Sequence, residues 1–407
     1  MSIINICDVS ELVENKEFVK IKEICKINDI CVKYDNPKKL YLLANVNENQ
    51  NKFKKNKNIL ESEGKDEVKE ESKSNIELSE DEKNIKNIDR FKKQANGIIM
   101  EQDTNKIVAM CQNKLQDLNS LDELYDLINT NINSKIRLEY CEDGTMIRLY
   151  NHNNIWYTAT TRCIDAKISY WTSNKNFDEL FWEIFDKSLL YSLDKNYTYV
   201  FILLHKENRI VIKHNVNMLV YISRINNISL EEDYTNVFNN IYGIKRPKKI
   251  ELNNLSEAFY NPFKRGIIVK ILDKRINEWN LYKLDFDQYR SIKTIRGNVP
   301  DLRMRFLELL NSQNDIKMLE MFYSENKYMF NVIKVSILKL IKEIHKLYIE
   351  SHIKHSIEVK EGNVFYRTLK QLHAQYKLTN KPISIEDVQN KIYSLDKNII
   401  KKFLNWS

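Results

Sequence analysis

The residues with the most chemical potential gather at Cys141-Glu142-Asp143-Gly144-Thr145-Met146-Ile147-Arg148. A thiol, two carboxylates and an arginine flank a dipeptide that commonly turns a hairpin. Cys141 has two readings. Nearby arginines would lower its pKa and make it a reactive thiolate. Otherwise it is a small, partly buried residue with no chemistry. Other clusters carry less. Cys7, Cys25, Cys31, Cys111, Cys141 and Cys163 show no C-x-x-C spacing, which argues against zinc ribbons and redox pairs. His345, His352 and His355 lack the i, i+4 spacing and the carboxylate of a helical metal motif.

The elements that would position these residues follow from periodicity. Ile136, Leu138 and Tyr140 alternate with Lys135, Arg137, Glu139 and Cys141, which predicts a half-buried strand. Its apolar face packs on a core and its other face, ending at Cys141, lines a cleft. Asp143-Gly144 turns the chain, and Thr145 to Tyr150 returns as a strand. A polar turn over Asn151 to Asn154 leads to a third strand, Ile155 to Thr160. Phe177, Leu180, Phe181, Ile184 and Phe185 have helical spacing. From Asp301 the pattern is helical. Ile333, Ile337, Leu340, Ile344 and Leu347 form one face of a long helix, with lysines over much of the rest, and Ser384 to Asp387 reads as a capping box.

Length and composition bound the class. A chain of 407 residues predicts two or three domains, and 43% hydrophobic residues suffice for a core. The net charge of +8 is compatible with a nucleic-acid partner. Heavy use of Asn, Lys, Ile and Tyr points to an AT-rich genome, which itself adds lysines. No apolar run approaches a membrane span and no signal peptide is evident, so a cytoplasmic location, in a host cell or a virion, is expected. Residues 1–45 read as the start of the main domain. Residues 46–88, charged and poor in large apolar side chains, read as a disordered insertion. Residues 89–300 form the main domain and 301–407 a helical one.

Several blocks in order resemble the covalent nucleotidyltransferase superfamily, and within it the bacteriophage-type RNA ligases and RNA-ligase-like proteins of large DNA viruses. Ala95-Asn96-Gly97-Ile98-Ile99-Met100 and Lys106-Ile107-Val108-Ala109-Met110 resemble the paired strands ahead of the nucleophile. Cys141-Glu142-Asp143-Gly144 is similar to Lys-x-Asp-Gly, with cysteine in place of the lysine that carries the nucleotide. Thr160-Thr161-Arg162 resembles the strand end that follows. Tyr199 to Val211, with Asn208-Arg209-Ile210-Val211, resembles a third block, in which Ile202 replaces a sugar-binding glutamate. Arg265-Gly266-Ile267-Ile268 stands where the family has Glu-Gly, and Lys283-Leu284-Asp285 where it has Lys-x-Lys.

The resemblance implies an α+β fold, a ligase-type antiparallel-sheet nucleotidyltransferase domain followed by an α-helical C-terminal domain. It also implies that the departures fall on chemistry and the retained residues on scaffold, which is the mark of a pseudoenzyme that binds RNA ends or a nucleotide. Asp143, Gly144, Arg148, Arg162, Arg209, Arg265 and Lys283 would line its pocket, the arginines contacting phosphate. No catalytic residue follows for Cys141, because a thiol does not form the family's phosphoramidate. No metal ligands are carried over, since Arg265 replaces a metal carboxylate. One alternative is an active ligase or guanylyltransferase with a displaced lysine, using ATP and Mg²⁺. Lys135 is about 20 Å from Cys141 along the strand, so Lys114 and Lys264 are its candidates. The other alternative is a structural or protein-interaction role in a large DNA virus.

Overall fold

The computed structural model describes residues 21–22, 25–26, 30–45, 95–259, 264–274 and 278–406. The expected insertion at 46–88 lies outside the described residues, as does most of the segment before residue 30. The chain divides into two compact units, Met1–Phe286 and Asp287–Ser407. The first is an α+β unit of mostly antiparallel sheets and the second is helical, so the helix Asp287–Arg296 goes with the second.

In chain order the strands are β1 (Ile30–Asp35), β2 (Leu40–Asn45), β3 (Ile98–Glu101), β4 (Ile107–Ala109), β5 (Gln116–Asp117), β6 (Ile136–Cys141), β7 (Thr145–His152) and β8 (Ile155–Ala159). They continue with β9 (Tyr197–Leu204), β10 (Met218–Asn226), β11 (Glu232–Asp233), β12 (Ile244–Lys245), β13 (Lys249–Ile250), β14 (Gly266–Asp273) and β15 (Glu278–Asp285). Three sheets result, ordered β1-β2-β3-β4, β11-β10-β9-β7-β8 with β12 beside β10, and β13-β6-β14-β15-β5.

Period-two alternation in the central sheet, β11 to β8, explains its packing on both faces. Ile147, Leu149, Phe201, Leu203 and Tyr221 point one way, into a cluster with Phe177, Leu180, Phe181 and Phe185. The last four come from α1 (Phe177–Trp182) and the turn after it. A reciprocal capping box of Asn176 and Glu179 starts that helix. The intervening positions, Val200, Ile202, Val220 and Ile222, point the other way. There Val200, Val220 and Ile222 join Tyr41, Leu43, Ile98 and Met100 of the first sheet. The β7–β8 connection is a two-residue turn, Asn153-Asn154, both at positive φ, a conformation asparagine tolerates.

In the second unit, α2 (Lys327–Tyr348) buries Phe330, Ile333, Ile337, Leu340, Ile341, Ile344 and Tyr348. Their three- and four-residue spacing keeps one stripe against the helices around it. The capping box at Ser384 is present and opens α3 (Ile385–Tyr393), where the Ser384 hydroxyl accepts from the Asp387 N–H and the Asp387 carboxylate accepts from the Ser384 N–H. Ser384→Ala is expected to lower stability by about 0.5–2 kcal/mol, read as a lower midpoint in urea or heat. An unchanged midpoint would mean that the box does not hold this helix.

Candidate functional site

A cavity of about 160 Å³ lies between the β6-β14-β15 sheet and the central sheet. Register sets its floor. Cys141 pairs with Gly266, and Gly266 pairs with Asp285, so motif positions far apart in sequence lie side by side across three strands. One step along, Glu139, Ile268 and Lys283 form a second row. Met146, Ile202 and Ile222 of the central sheet supply an apolar roof. Cys141, Gly144, Arg265 and Lys283 of the expected site residues line this cavity together.

Cys141 is 4% exposed. Burial pushes its thiol up to about 11; Arg265 and Lys283 pull it down, while Asp285 and Asp143 oppose them. The cysteine therefore stays protonated at neutral pH, and the reading as a reactive thiolate fails on desolvation.

The charged residues of the floor are matched with one another. Arg265 Nε lies 2.8 Å from Asp285 Oδ1, and its terminal nitrogen donates to Oδ2 at 3.3 Å. Lys283 Nζ lies 2.8 Å from Asp117 and 3.6 Å from Asp285. Lys264 Nζ reaches Glu142 at 2.7 Å. Deepest is Lys270, 2% exposed, with its ammonium 2.8 Å from the buried Glu139 carboxylate. That contact lies off the line of a good hydrogen bond, so the attraction is chiefly coulombic. The same ammonium sits 4.4 Å from the centre of the Tyr234 ring.

The remaining expected residues lie outside this cavity, and Asp143 and Arg148 among them serve the fold. Asp143, 1% exposed, accepts the N–H groups of Val211 and Ile212 at 2.8 and 2.7 Å, and His214 Nε2 meets its carbonyl at 2.6 Å. Arg148 is fully buried and donates to the carbonyls of Gly97, Met110 (3.1 Å) and Thr160 (2.7 Å). Arg209 Nε donates to the Val211 carbonyl at 3.0 Å, and Arg162 is exposed on the loop after β8. None of these four lines the cavity. Gly144 and Gly266 are required by close approach. A Cβ on Gly144 would strike the Leu203 carbonyl and Ile202, and one on Gly266 the Leu284 carbonyl.

Lys114 and Lys264, the displaced-lysine candidates, do not line the cavity, whereas Lys270 does. Sequence reasoning passed over Lys270. Its alternation with Gly266 and Ile268 along β14 places it on the Cys141 side and was the available signal.

As a class, the proteins this chain is similar to are RNA and DNA ligases and viral proteins; no family model matches it. In particular, it is 25% identical over 293 residues to the immediate-early protein ICP-46 homolog of Invertebrate iridescent virus 6, a match covering 64% of this chain and 63% of that protein. It is 31% identical over 106 residues to the RNA ligase of Rhodothermus phage RM378, covering 23% of this chain and 24% of the ligase. The chain thus spans less than two thirds of the length of either relative. Among solved structures, a putative ATP-dependent DNA ligase from Aquifex aeolicus aligns over 81% of each chain at 9% identity and a TM-score of 0.42. An archaeal ATP-dependent RNA ligase aligns over 57% of this chain and 61% of its own at 11% identity and a TM-score of 0.39.

Two outcomes are expected. In the native protein Cys141 resists alkylation at neutral pH and reacts only on unfolding or as pH nears 11, mapped by mass spectrometry of its peptide. Its folded pKa lies above the ordinary 9.0. The stability it contributes is therefore full below that value and lost as pH rises toward 11. Rapid labelling at neutral pH would contradict the buried thiol. Separately, Arg265→Glu places two carboxylates together and is expected to cost about 1–3 kcal/mol, while Arg265→Glu with Asp285→Lys recovers most of it. An additive double variant in denaturant unfolding would show that the pair is uncoupled.

Proposed function

We propose that this chain is a catalytically degenerate RNA-ligase-like protein that binds an RNA end or a nucleotide without forming a covalent adduct. The carrying observation is at Cys141, where a buried, protonated thiol occupies the position of the family's nucleophilic lysine. The surroundings favour the same reading. Arg265 and Asp285 replace a carboxylate and a lysine and neutralise each other, and the carboxylates of the lining, Glu139 and Glu142, are held by Lys270 and Lys264 and not offered to a divalent cation. Support for RNA comes from the similarity to a phage RNA ligase and from the net charge of +8. Arg162 and Arg209 are the cations outside the cavity proposed to meet phosphate, with Arg265 and Lys283 at its floor.

A second reading rests on Lys270, a lysine inside the same cavity. In it the neutral amine would attack the α-phosphorus of ATP, forming a P–N bond as pyrophosphate leaves, with Mg²⁺ on the phosphates. The ion pair to Glu139 works against it, because drawing the amine to a phosphate would leave that buried carboxylate without its partner.

Incubation with α-labelled ATP or GTP and Mg²⁺ or Mn²⁺, followed by a denaturing gel, separates the two. The expected result is no labelled band from the native chain or from Cys141→Lys, together with single-stranded RNA binding that weakens as salt rises. A labelled band lost in Lys270→Arg would establish the covalent reading. No band and no RNA or nucleotide binding at moderate salt would sink both and leave a structural or protein-interaction role.

A further inference from the structure

A second pocket, of about 440 Å³, lies at the edge of the central sheet, where among the described residues no further strand pairs with β8. It is larger than the cleft and falls within the range of small-molecule sites, about 300–1,000 Å³. Trp156 and Tyr157 of β8 and Trp182 of α1 line it, with Asp178 among them. Trp156 and Trp182 belong to the cluster on the sheet face opposite Ile202, so this pocket is separate from the cleft.

Asp178 is the informative group. It is 8% exposed, and among the described residues no lysine or arginine forms an ion pair with it. The Thr158 hydroxyl and the Trp182 indole N–H both donate to Oδ1, at 2.6 and 2.8 Å. Both local donors are thus committed to one oxygen, and what Asp178 offers a guest is acceptor capacity. The second carboxylate of the lining, Asp165, is held by Lys38 at 3.0 Å, which leaves the lysines of the rim as its unmatched charge among the described residues. Lys167 and Lys187 line the mouth, and Lys195 donates to Asn154 there at 2.9 Å. Lys187 rests 5.2 Å over the Trp182 ring and is exposed, so its long side chain can swing off the ring.

We propose that this pocket binds a guanine nucleotide. An aromatic wall suits the face of a base. An acceptor-only carboxylate suits a base edge made of donors. Guanine presents N1–H and N2–H₂ together, whereas adenine sets its N1 acceptor beside its amino group, against the carboxylate. The rim lysines match the phosphate and disfavour a cationic guest such as an arginine side chain. This inference does not rest on the cleft and stands whether or not the cleft binds RNA.

Titration of the full chain with GMP, AMP, guanosine and an arginine amide, followed by tryptophan fluorescence and calorimetry, tests it. GMP is expected to quench the fluorescence and to bind about tenfold more tightly than AMP. Asp178→Asn should weaken GMP about tenfold, the worth of one charge-assisted hydrogen bond. Lys167→Gln with Lys187→Gln, both at exposed positions, should abolish the advantage of GMP over guanosine; this pair decides the matter if Asp178→Asn does not fold. Equal affinity for GMP and AMP, preference for the arginine amide, or absence of quenching would overturn the proposal. So would GMP binding that is lost in the cleft variant Lys283→Gln yet kept in Asp178→Asn.

Discussion

A guanidinium with no access to water holds the sheet unit together. Arg148 stands in β7 and donates to Gly97 at the entry to β3, Met110 beyond β4, and Thr160 beyond β8. It therefore ties the first sheet to the central one at the ends of their strands. Arginine supplies a planar fork whose two terminal nitrogens reach these three carbonyls, while its buried Nε makes no hydrogen bond among the described residues. Removing it would leave three carbonyls without their donor, at about 1–3 kcal/mol for each that stays dry. β7 is also the strand that leaves the Asp143-Gly144 turn, so the position of Cys141 at the mouth of that turn depends on the same anchor.

Asp143, Gly144 and Gly266 extend the same logic. One carboxylate oxygen of Asp143 gathers two backbone N–H groups from the loop at 211–212, a geometry that fixes a loop as firmly as it would fix a ligand. The two glycines permit backbone approaches that no side chain would allow. Residues of this kind are needed by the fold itself. Arg265 and Asp285 add a further constraint. Each alone would set like charges together at the floor of the cavity; as a pair they restore an attraction of opposite polarity. The two residues are coupled through that contact.

Local order was legible in the sequence, and long-range pairing was not. Alternation through Lys135 to Cys141 gave β6 and its faces, the Asn-rich turn gave the β7–β8 hairpin, and the apolar spacing from Ile333 to Ile344 gave the stripe of α2. These signals sit within a few residues of the feature they predict. The Arg265–Asp285 pair, by contrast, needs the register of β14 on β15, and the match of Lys270 with Glu139 needs that of β14 on β6. Each of those residues reads alone as a departure or as an ordinary strand lysine. Arg148 shows the same limit: an arginine in a strand reads as a candidate phosphate contact until its three carbonyls, from segments distant in sequence, are in place. Asp178 carried no local signal beyond a place in the first turn of a short helix.

The ion pair of Lys270 decides how the cleft is to be understood. Its ammonium faces Glu139 at 2.8 Å with both groups almost fully removed from solvent. Withdrawing it to attack a phosphate would leave Glu139 as an uncompensated buried charge, which costs about 3–5 kcal/mol. Position works in the same direction. Lys270 is four residues along β14 from Gly266, the partner of Cys141, or about 13 Å by strand rise. A lysine anchored there approaches a bound nucleotide from a different part of the floor than a residue at 141. With the roof apolar at Met146, Ile202 and Ile222, the Glu139–Lys270 pair gives the cavity a fixed dipole.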